Sequence, residues 1–221
     1  ALYFSFSNGN SWEIAIPKQE YKFSAIGISP LNENLIYAGD IAGRLYVTKN
    51  HFESYKNVSP NGLVARAITD IECSRKNALT ALVCVSGYGT DHVFKTTNAG
   101  DSWFSISHKL PDVACNTIAI HPENEDIIFV GTDIGVFATF NSGQSWLPFG
   151  RKLPKTIITD MKIQGNSFTG SYSLRVATFG RSMWEIDIPT DIITEYEITS
   201  PAGGEVLTGG SQYTMSWYGF D

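Results

Sequence analysis

The sequence predicts an all-β chain: the C-terminal blades of a larger β-propeller, each blade four antiparallel strands, followed by the start of a β-sandwich. Three observations carry this reading. An aromatic residue recurs at Trp12, Tyr55, Trp103 and Trp146, at intervals of 43, 48 and 43 residues, the length of one propeller blade. Between these anchors, short apolar runs alternate with polar residues and are punctuated by turn formers, with no helical period. Beyond Pro189 the pattern changes, which divides the chain into residues 1–190 and 191–221.

Composition narrows the classes of function. A net charge of −6 over 221 residues excludes the basic footprint of a nucleic-acid surface. No apolar run reaches the ~18–20 residues of a membrane span. The opening Ala1-Leu2-Tyr3-Phe4-Ser5-Phe6 alternates like a strand and lacks the basic start of a signal peptide. Cys73, Cys84 and Cys115 are too few and too scattered for a disulfide framework or a zinc site, and read as buried thiols. A hairpin turning at Arg75–Ala78 places Cys73 opposite Leu79 or Thr80, with Cys84 out of register.

In chain order, residues 1–17 give the last two strands of one blade. Residues 23–58, 65–107 and 115–150 give three blades, and 156–188 gives about three strands of another. First strands are expected at Phe23–Ser29, Ala67–Cys73, Thr117–His121 and Ile157–Ile163. Second strands follow at Leu35–Ala38, Leu79–Ser86, Ile127–Gly131 and Leu174–Thr178, after turns such as Pro30–Asn34 and Pro122–Asp126. Third strands fall at Arg44–Thr48, His92–Thr96 and Val136–Thr139, each running into a polar turn, and a fourth strand follows each aromatic anchor.

That polar turn is the most repeated feature. Seven residues before each anchor stands a hydroxyl: Ser5, Thr48, Thr96, Thr139. Five before stands Ser7, Asn50, Asn98 or Asn141. Three before stands Gly9, Gly100 or Gly143, with Phe52 as the exception, and one before is always serine. Three offsets hold in all four copies and the fourth in three, an agreement that chance does not give.

The turn resembles the Asp-box, or BNR repeat, of β-propellers such as sialidases, sortilin-type receptors and xyloglucanase-type hydrolases. Its pattern is Ser/Thr-x-Asp-x-Gly-x-Ser/Thr-Trp, and the likeness spans roughly residues 1–189. Here the carboxylate is replaced by Ser7, Asn50, Asn98 and Asn141. An Asn or Ser oxygen accepts the same backbone N–H bonds. Glycine supplies the positive-φ step, and the tryptophan packs between sheets. The resemblance therefore implies a structural turn, not a catalytic loop, built from Ser5, Gly9, Trp12, Thr48, Asn50, Tyr55, Thr96, Asn98, Gly100, Trp103, Thr139, Asn141, Gly143 and Trp146. Leu174–Ile186 resembles the closing blade of bacterial BNR proteins. In the tail, Ser200-Pro201-Ala202-Gly203-Gly204-Glu205 and the later Tyr213 and Trp217 resemble the opening of an immunoglobulin-like cell-wall module.

Topology says where a site would sit. The boxes mark the back of the propeller. Turns between second and third strands mark the front, at Asp40–Gly43, Gly87–His92, Thr132–Gly135 and Gly180–Ser182. The front-face candidates are Asp40, Tyr88, Asp91, His92, Asp133 and Arg181. Asp40 and Asp133 stand at equivalent strand ends and form the candidate carboxylate pair for glycoside hydrolysis. The alternative is that each caps its own hairpin. Asp70 and Asp160, in matching Ile-Thr-Asp triplets of first strands, read as structural carboxylates. Arg181 and Arg175 lack the further arginine, Tyr–Glu pair and Arg-Ile-Pro motif that a sialidase implies. No metal or cofactor motif is present.

The expectation is a secreted or cell-surface propeller that binds or scaffolds, with a polysaccharide or protein as ligand. A carbohydrate-active hydrolase is the alternative, and a propeller assembly factor the third. The first and last blades are expected to expose apolar faces, covered by remaining blades of the same protein or by a partner chain.

Overall fold

The computed structural model describes residues 1–18, 20–60, 63, 65–166, 169–189, 197–200 and 216–218. Most of the expected linker and sandwich opening at 191–221 therefore lies outside the described residues, as do Gln19, Asn61, Gly62 and Val64 of the inter-blade connectors. All regular structure among the described residues is strand.

The strands form antiparallel sheets in strict chain order. β1 (Leu2–Phe4) and β2 (Glu13–Ile16) make a two-stranded sheet. Three four-stranded blades follow. The first holds β3 (Phe23–Ser29), β4 (Asn32–Asp40), β5 (Leu45–Thr48) and β6 (Lys56–Asn57). The next holds β7 (Ile68–Cys73), β8 (Ala81–Val85), β9 (Val93–Thr96) and β10 (Phe104–Ser105). The third holds β11 (Cys115–Ile120), β12 (Ile128–Thr132), β13 (Gly135–Thr139) and β14 (Leu147–Phe149). A three-stranded sheet of β15 (Ile158–Gly165), β16 (Tyr172–Thr178) and β17 (Met183–Ile188) comes next. In the tail, β18 (Glu197–Ser200) pairs antiparallel with β19 (Ser216–Tyr218).

Blades pack face to face in sequence, each interface burying one apolar layer. Leu2, Phe4 and Ile16 pack on Ala38 and Tyr46. Tyr37, Leu45 and Val47 pack on Ile68, Ile71 and Val83. Leu82 and Val93 meet Ile118, Val130 and Trp146, and Phe129 and Val136 meet Ile158, Met161 and Leu174. Among the described residues, the β1–β2 sheet and the β15–β17 sheet share no core cluster.

One irregularity repeats. Every first strand slips register at the same point, leaving Ser24, Thr69, Asn116 and Thr159 as bulge residues. A bulge re-aims its side chain, and two of these reach the next blade: Ser24 Oγ donates to the Ile68 carbonyl at 2.6 Å and Thr69 Oγ1 to the Cys115 carbonyl at 2.7 Å. Opposite the bulge, Gly39 and Gly131 let the next inner strand approach. A Cβ on either would stand 2.6 Å from Ile68 or Ile158.

Several expectations are corrected. Cys73 faces Ala81 and not Leu79 or Thr80, because the hairpin turn extends to Thr80, while Cys84, opposite Asp70, is out of register with it as expected. Asn32–Asn34 belong to β4, since Pro30 and Leu31 alone make the turn. Trp12 is exposed and does not pack between sheets among the described residues. The outward face of the three-stranded sheet is not apolar either. It carries Lys162, Gln164, Ser173, Arg175, Glu185 and Asp187, with Arg175 Nε 3.2 Å from Glu185, beside the exposed Met183. The three thiols are all buried and free; burial pushes those of Cys73 and Cys115 up to about 12 and that of Cys84 well up.

Candidate functional site

The repeated polar turns join third to fourth strands, so all four lie on one side of the stack. In each, the hydroxyl organises the loop. Thr96 Oγ1 accepts the Gly100 amide at 2.9 Å and donates to Asn98 Oδ1 at 2.9 Å. Thr139 does the same with Gly143 and Asn141. Asn98 Oδ1 then accepts the Ser102 amide at 2.9 Å, while its Nδ2 donates to Ser102 Oγ at 2.8 Å. Ser7 Oγ substitutes by accepting the Ser11 amide at 2.8 Å. Two consecutive residues in each turn have positive φ: Asn8–Gly9, His51–Phe52, Ala99–Gly100 and Ser142–Gly143. Phe52, at φ 68°, takes a conformation that suits glycine. The repeated hydroxyl and the Asn or Ser oxygen are thus satisfied within each loop, while the Ala99 and Ser142 amides reach the Leu79 and Asp126 carbonyls of the neighbouring turns.

The opposite side carries the turns between second and third strands. Asp40 is fully buried. Its Oδ1 accepts the Ala42 and Arg44 amides at 2.8 and 2.9 Å, and its Oδ2 holds Arg44 Nε at 2.7 Å. Arg44 lies 4.7 Å over the Tyr21 ring, and its Nη1 stands 3.9 Å from Glu20. The Asp40 hydrogen bond is the first cause of a raised Arg44 pKa. Asp133 is half-buried and accepts Asn116 Nδ2 at 2.9 Å. Each candidate carboxylate thus anchors a different local network.

His92 is buried at the base of the Gly87–Asp91 turn. Its Nε2 lies 3.0 Å from Asp112 Oδ1, which also accepts the Gly89 amide at 2.7 Å. The Gly89 amide first, and His92 second, hold the Asp112 carboxyl below its ordinary value. Tyr88 and Asp91 stand exposed on this braced turn. Arg181 is exposed, its carbonyl accepting Trp184 Nε1 at 2.8 Å.

Two features escaped the sequence reading. Asp112 lies on the following connector, and its pairing with His92 across 20 residues leaves no local motif. The second is a series of exposed apolar side chains, one on each front turn: Ile41 47 %, Tyr88 57 %, Ile134 48 % and Phe179 70 %. Only Tyr88 was among the candidates. The available signal was a large apolar residue inside a turn, in Asp40-Ile41-Ala42-Gly43, Asp133-Ile134-Gly135 and Thr178-Phe179-Gly180.

On the back, a groove of about 420 Å³ is lined by Arg75, Lys76, Glu123, Ile163 and Tyr172. His121 packs edge-on against Tyr172 there, with ring centroids 4.4 Å apart. Among the described residues no group of three His, Cys, Asp or Glu side chains converges as a metal site. No helix among them is long and apolar enough to cross a membrane.

No protein-family model matches the chain, and no curated protein matches it. Solved structures do. An ancestral GH74 enzyme superposes with TM-score 0.60 and 19% identity, over 83% of this chain and 28% of its own. The GH74 xyloglucanase from Xanthomonas campestris gives TM-score 0.56 and 10% identity, over 74% of this chain and 29% of its own. The computationally designed Ika4 protein gives 0.58 and 11%, over 79% of this chain and 96% of its own. At these identities the likeness establishes the fold alone: an all-β propeller of four-stranded antiparallel blades. The chain spans less than a third of the length of either GH74 protein.

Proposed function

We propose that this propeller is a binding module whose front face takes a polysaccharide or a protein segment, at a cell surface or outside the cell. The observation that carries the reading is the exposed apolar residue on each of the four front turns, Ile41, Tyr88, Ile134 and Phe179. A solvated turn gains nothing from a large apolar side chain, whereas a sugar face or peptide stacks on it. The turns are held stiffly, by Asp40 with Arg44 and by Asp112 with His92 and Gly89. Little ordering entropy remains to be lost on binding.

The repeated turns act, on this proposal, as BNR-type boxes, and the antiparallel β18–β19 pair supports reading 191–221 as the opening of an immunoglobulin-like module. The hydrolase reading is weaker. It needs two free carboxyls facing a substrate, and Asp40 is buried beneath its own hairpin bonds.

The test is affinity electrophoresis on xyloglucan, other β-glucans and sialylated glycans, alongside turnover assays on the same panel. Retardation without turnover is expected, lost in Tyr88→Ser with Phe179→Ser at unchanged melting temperature. Turnover abolished by Asp133→Asn, with the fold intact, would establish the hydrolase instead.

A further inference from the structure

The register shared by the first strands shows which side chains need a neighbour. Ile26, Ile71, Ile118 and Met161 occupy one position, opposite Ala38, Val83, Val130 and Val176 of their second strands. All four face the preceding sheet. Three are buried, at 4, 0 and 0 %, under the first and second strands of that sheet, while Ile26 is 50 % exposed. Two residues on, Cys73 and Ile120 are buried at 7 and 6 %, and the equivalent Ile28 is 55 % exposed.

The cause is local. The β1–β2 sheet covers only the outer part of this face, through contacts of Leu2, Phe4 and Ile16 with Ala38 and Tyr46. By their position around the first polar turn, β1 and β2 correspond to third and fourth strands. In each complete blade the third strand is paired on both edges, whereas β1 pairs with β2 alone. An unpaired strand edge lies beside an uncovered pair of isoleucines. The backbone and the side-chain observations are independent, and they meet at one place.

We infer that this place receives a two-stranded β-hairpin, the first and second strands of the blade to which β1 and β2 belong, supplied in cis from the amino-terminal side of β1. Its second strand pairs antiparallel with the open edge of β1, and alternate apolar residues of both strands cover Ile26 and Ile28. Supply in cis follows from strand order. In the three complete blades the second strand runs directly into the third through a short turn such as Asp40–Arg44. The interface is also continuous with the layer that already seats β1–β2. The charged outer face of β15–β17 does not suit the isoleucines, since covering Lys162 and the exposed Arg175–Glu185 pair with them would strip charged groups of water. This site is separate from the front face and does not depend on what that face binds.

The experiment places a copy of residues 22–43 directly before Ala1, which sets its second strand in register with β1. Hydrogen exchange, isoleucine-methyl NMR and anilinonaphthalene sulfonate (ANS) fluorescence are then compared with the unextended chain. The expected result is at least tenfold slower exchange at β1, methyl contacts between Ile26, Ile28 and the added hairpin, and ANS fluorescence lowered to that of the Ile26→Ser, Ile28→Ser variant. If the extended chain does not fold, a copy of residues 35–43 alone must slow exchange at β1. An added segment that exchanges like free peptide, with β1 unchanged, overturns the inference. So does an unextended chain that dimerises through this face and is split by Ile26→Asp with Ile28→Asp, because a second copy would then be the occupant.

Discussion

Tryptophan at the repeated turn has one chemical identity and three environments. Trp146 is 4 % exposed and donates Nε1 to the Ile106 carbonyl at 2.8 Å in the preceding blade. Trp103 is half-buried against Tyr37, ring centroids 5.9 Å apart, and Trp12 stands in solvent. Truncation should follow that order. Trp146→Ala is expected to cost about 3–5 kcal/mol, from the cavity and an orphaned carbonyl. Trp103→Ala should cost less, and Trp12→Ala should fall within about 0.5 kcal/mol of neutral. Asn98→Asp should also be near neutral, because a carboxylate still accepts from Thr96 and from the Ser102 amide and hydroxyl. Urea unfolding of the four variants tests the series; equal losses at Trp12 and Trp146 would dissolve the idea that the anchor works by packing on the preceding sheet.

Between elements, the inner strands are clasped as well as packed. Asp70 Oδ2 accepts Thr117 Oγ1 at 2.9 Å and the Ile118 amide at 3.0 Å, both in the next blade, while Oδ1 accepts the Ile71 amide. Asp160 repeats only the last of these, toward Met161, and is exposed. Asp70→Ala should therefore cost about 1–3 kcal/mol by stranding the Ile118 amide. Asp160→Ala should change stability by less than about 0.5 kcal/mol. Guanidinium melts distinguish the two, and similar losses would refute the clasp. The matching Ile-Thr-Asp triplets were legible in the sequence, as were the strand order and the box register. What they hold was not, because the acceptor and donor lie more than 45 residues apart. The shared bulge was illegible for a similar reason: Ser24, Thr69, Asn116 and Thr159 differ in type and are united only by pairing.

Glu72 adds a pH dependence at this same scale. Burial, the largest cause, raises its pKa, and Lys162 partly opposes that. A raised folded pKa in an acid means that the native state binds the proton more tightly than the unfolded chain. The resulting penalty is fully present above the folded pKa and disappears as pH falls through it. Glu72→Gln should then melt higher than the parent at pH 7, with the difference closing toward acid pH. A constant difference across pH would show that packing, and not ionisation, governs the site.

Over the whole molecule, one repeated unit performs two tasks on opposite sides. Back turns are held by their repeated hydroxyl and Asn or Ser oxygens, while front turns, two of them braced by buried Asp40 and His92, lift apolar groups into solvent. The stack is unequal at its ends. Its amino-terminal sheet leaves Tyr3, Trp12 and Ile14 exposed, whereas the outer face of β15–β17 is charged. Sequence reading anticipated two apolar ends because it counted strands. The charged end follows from Lys162, Arg175 and Glu185 standing on the outward face, a consequence of register and not of strand count.

Native-state hydrogen exchange on the chain itself reads this architecture most directly. Sequential packing predicts the slowest exchange in β8 and β12, the second strands of blades flanked on both sides. Protection should fall toward the ends and be least in β1, which has one paired edge and an uncovered neighbour. Protection in β1 equal to that in β8 would contradict the account, since the first blade would then already be complete and the stack not open at that end.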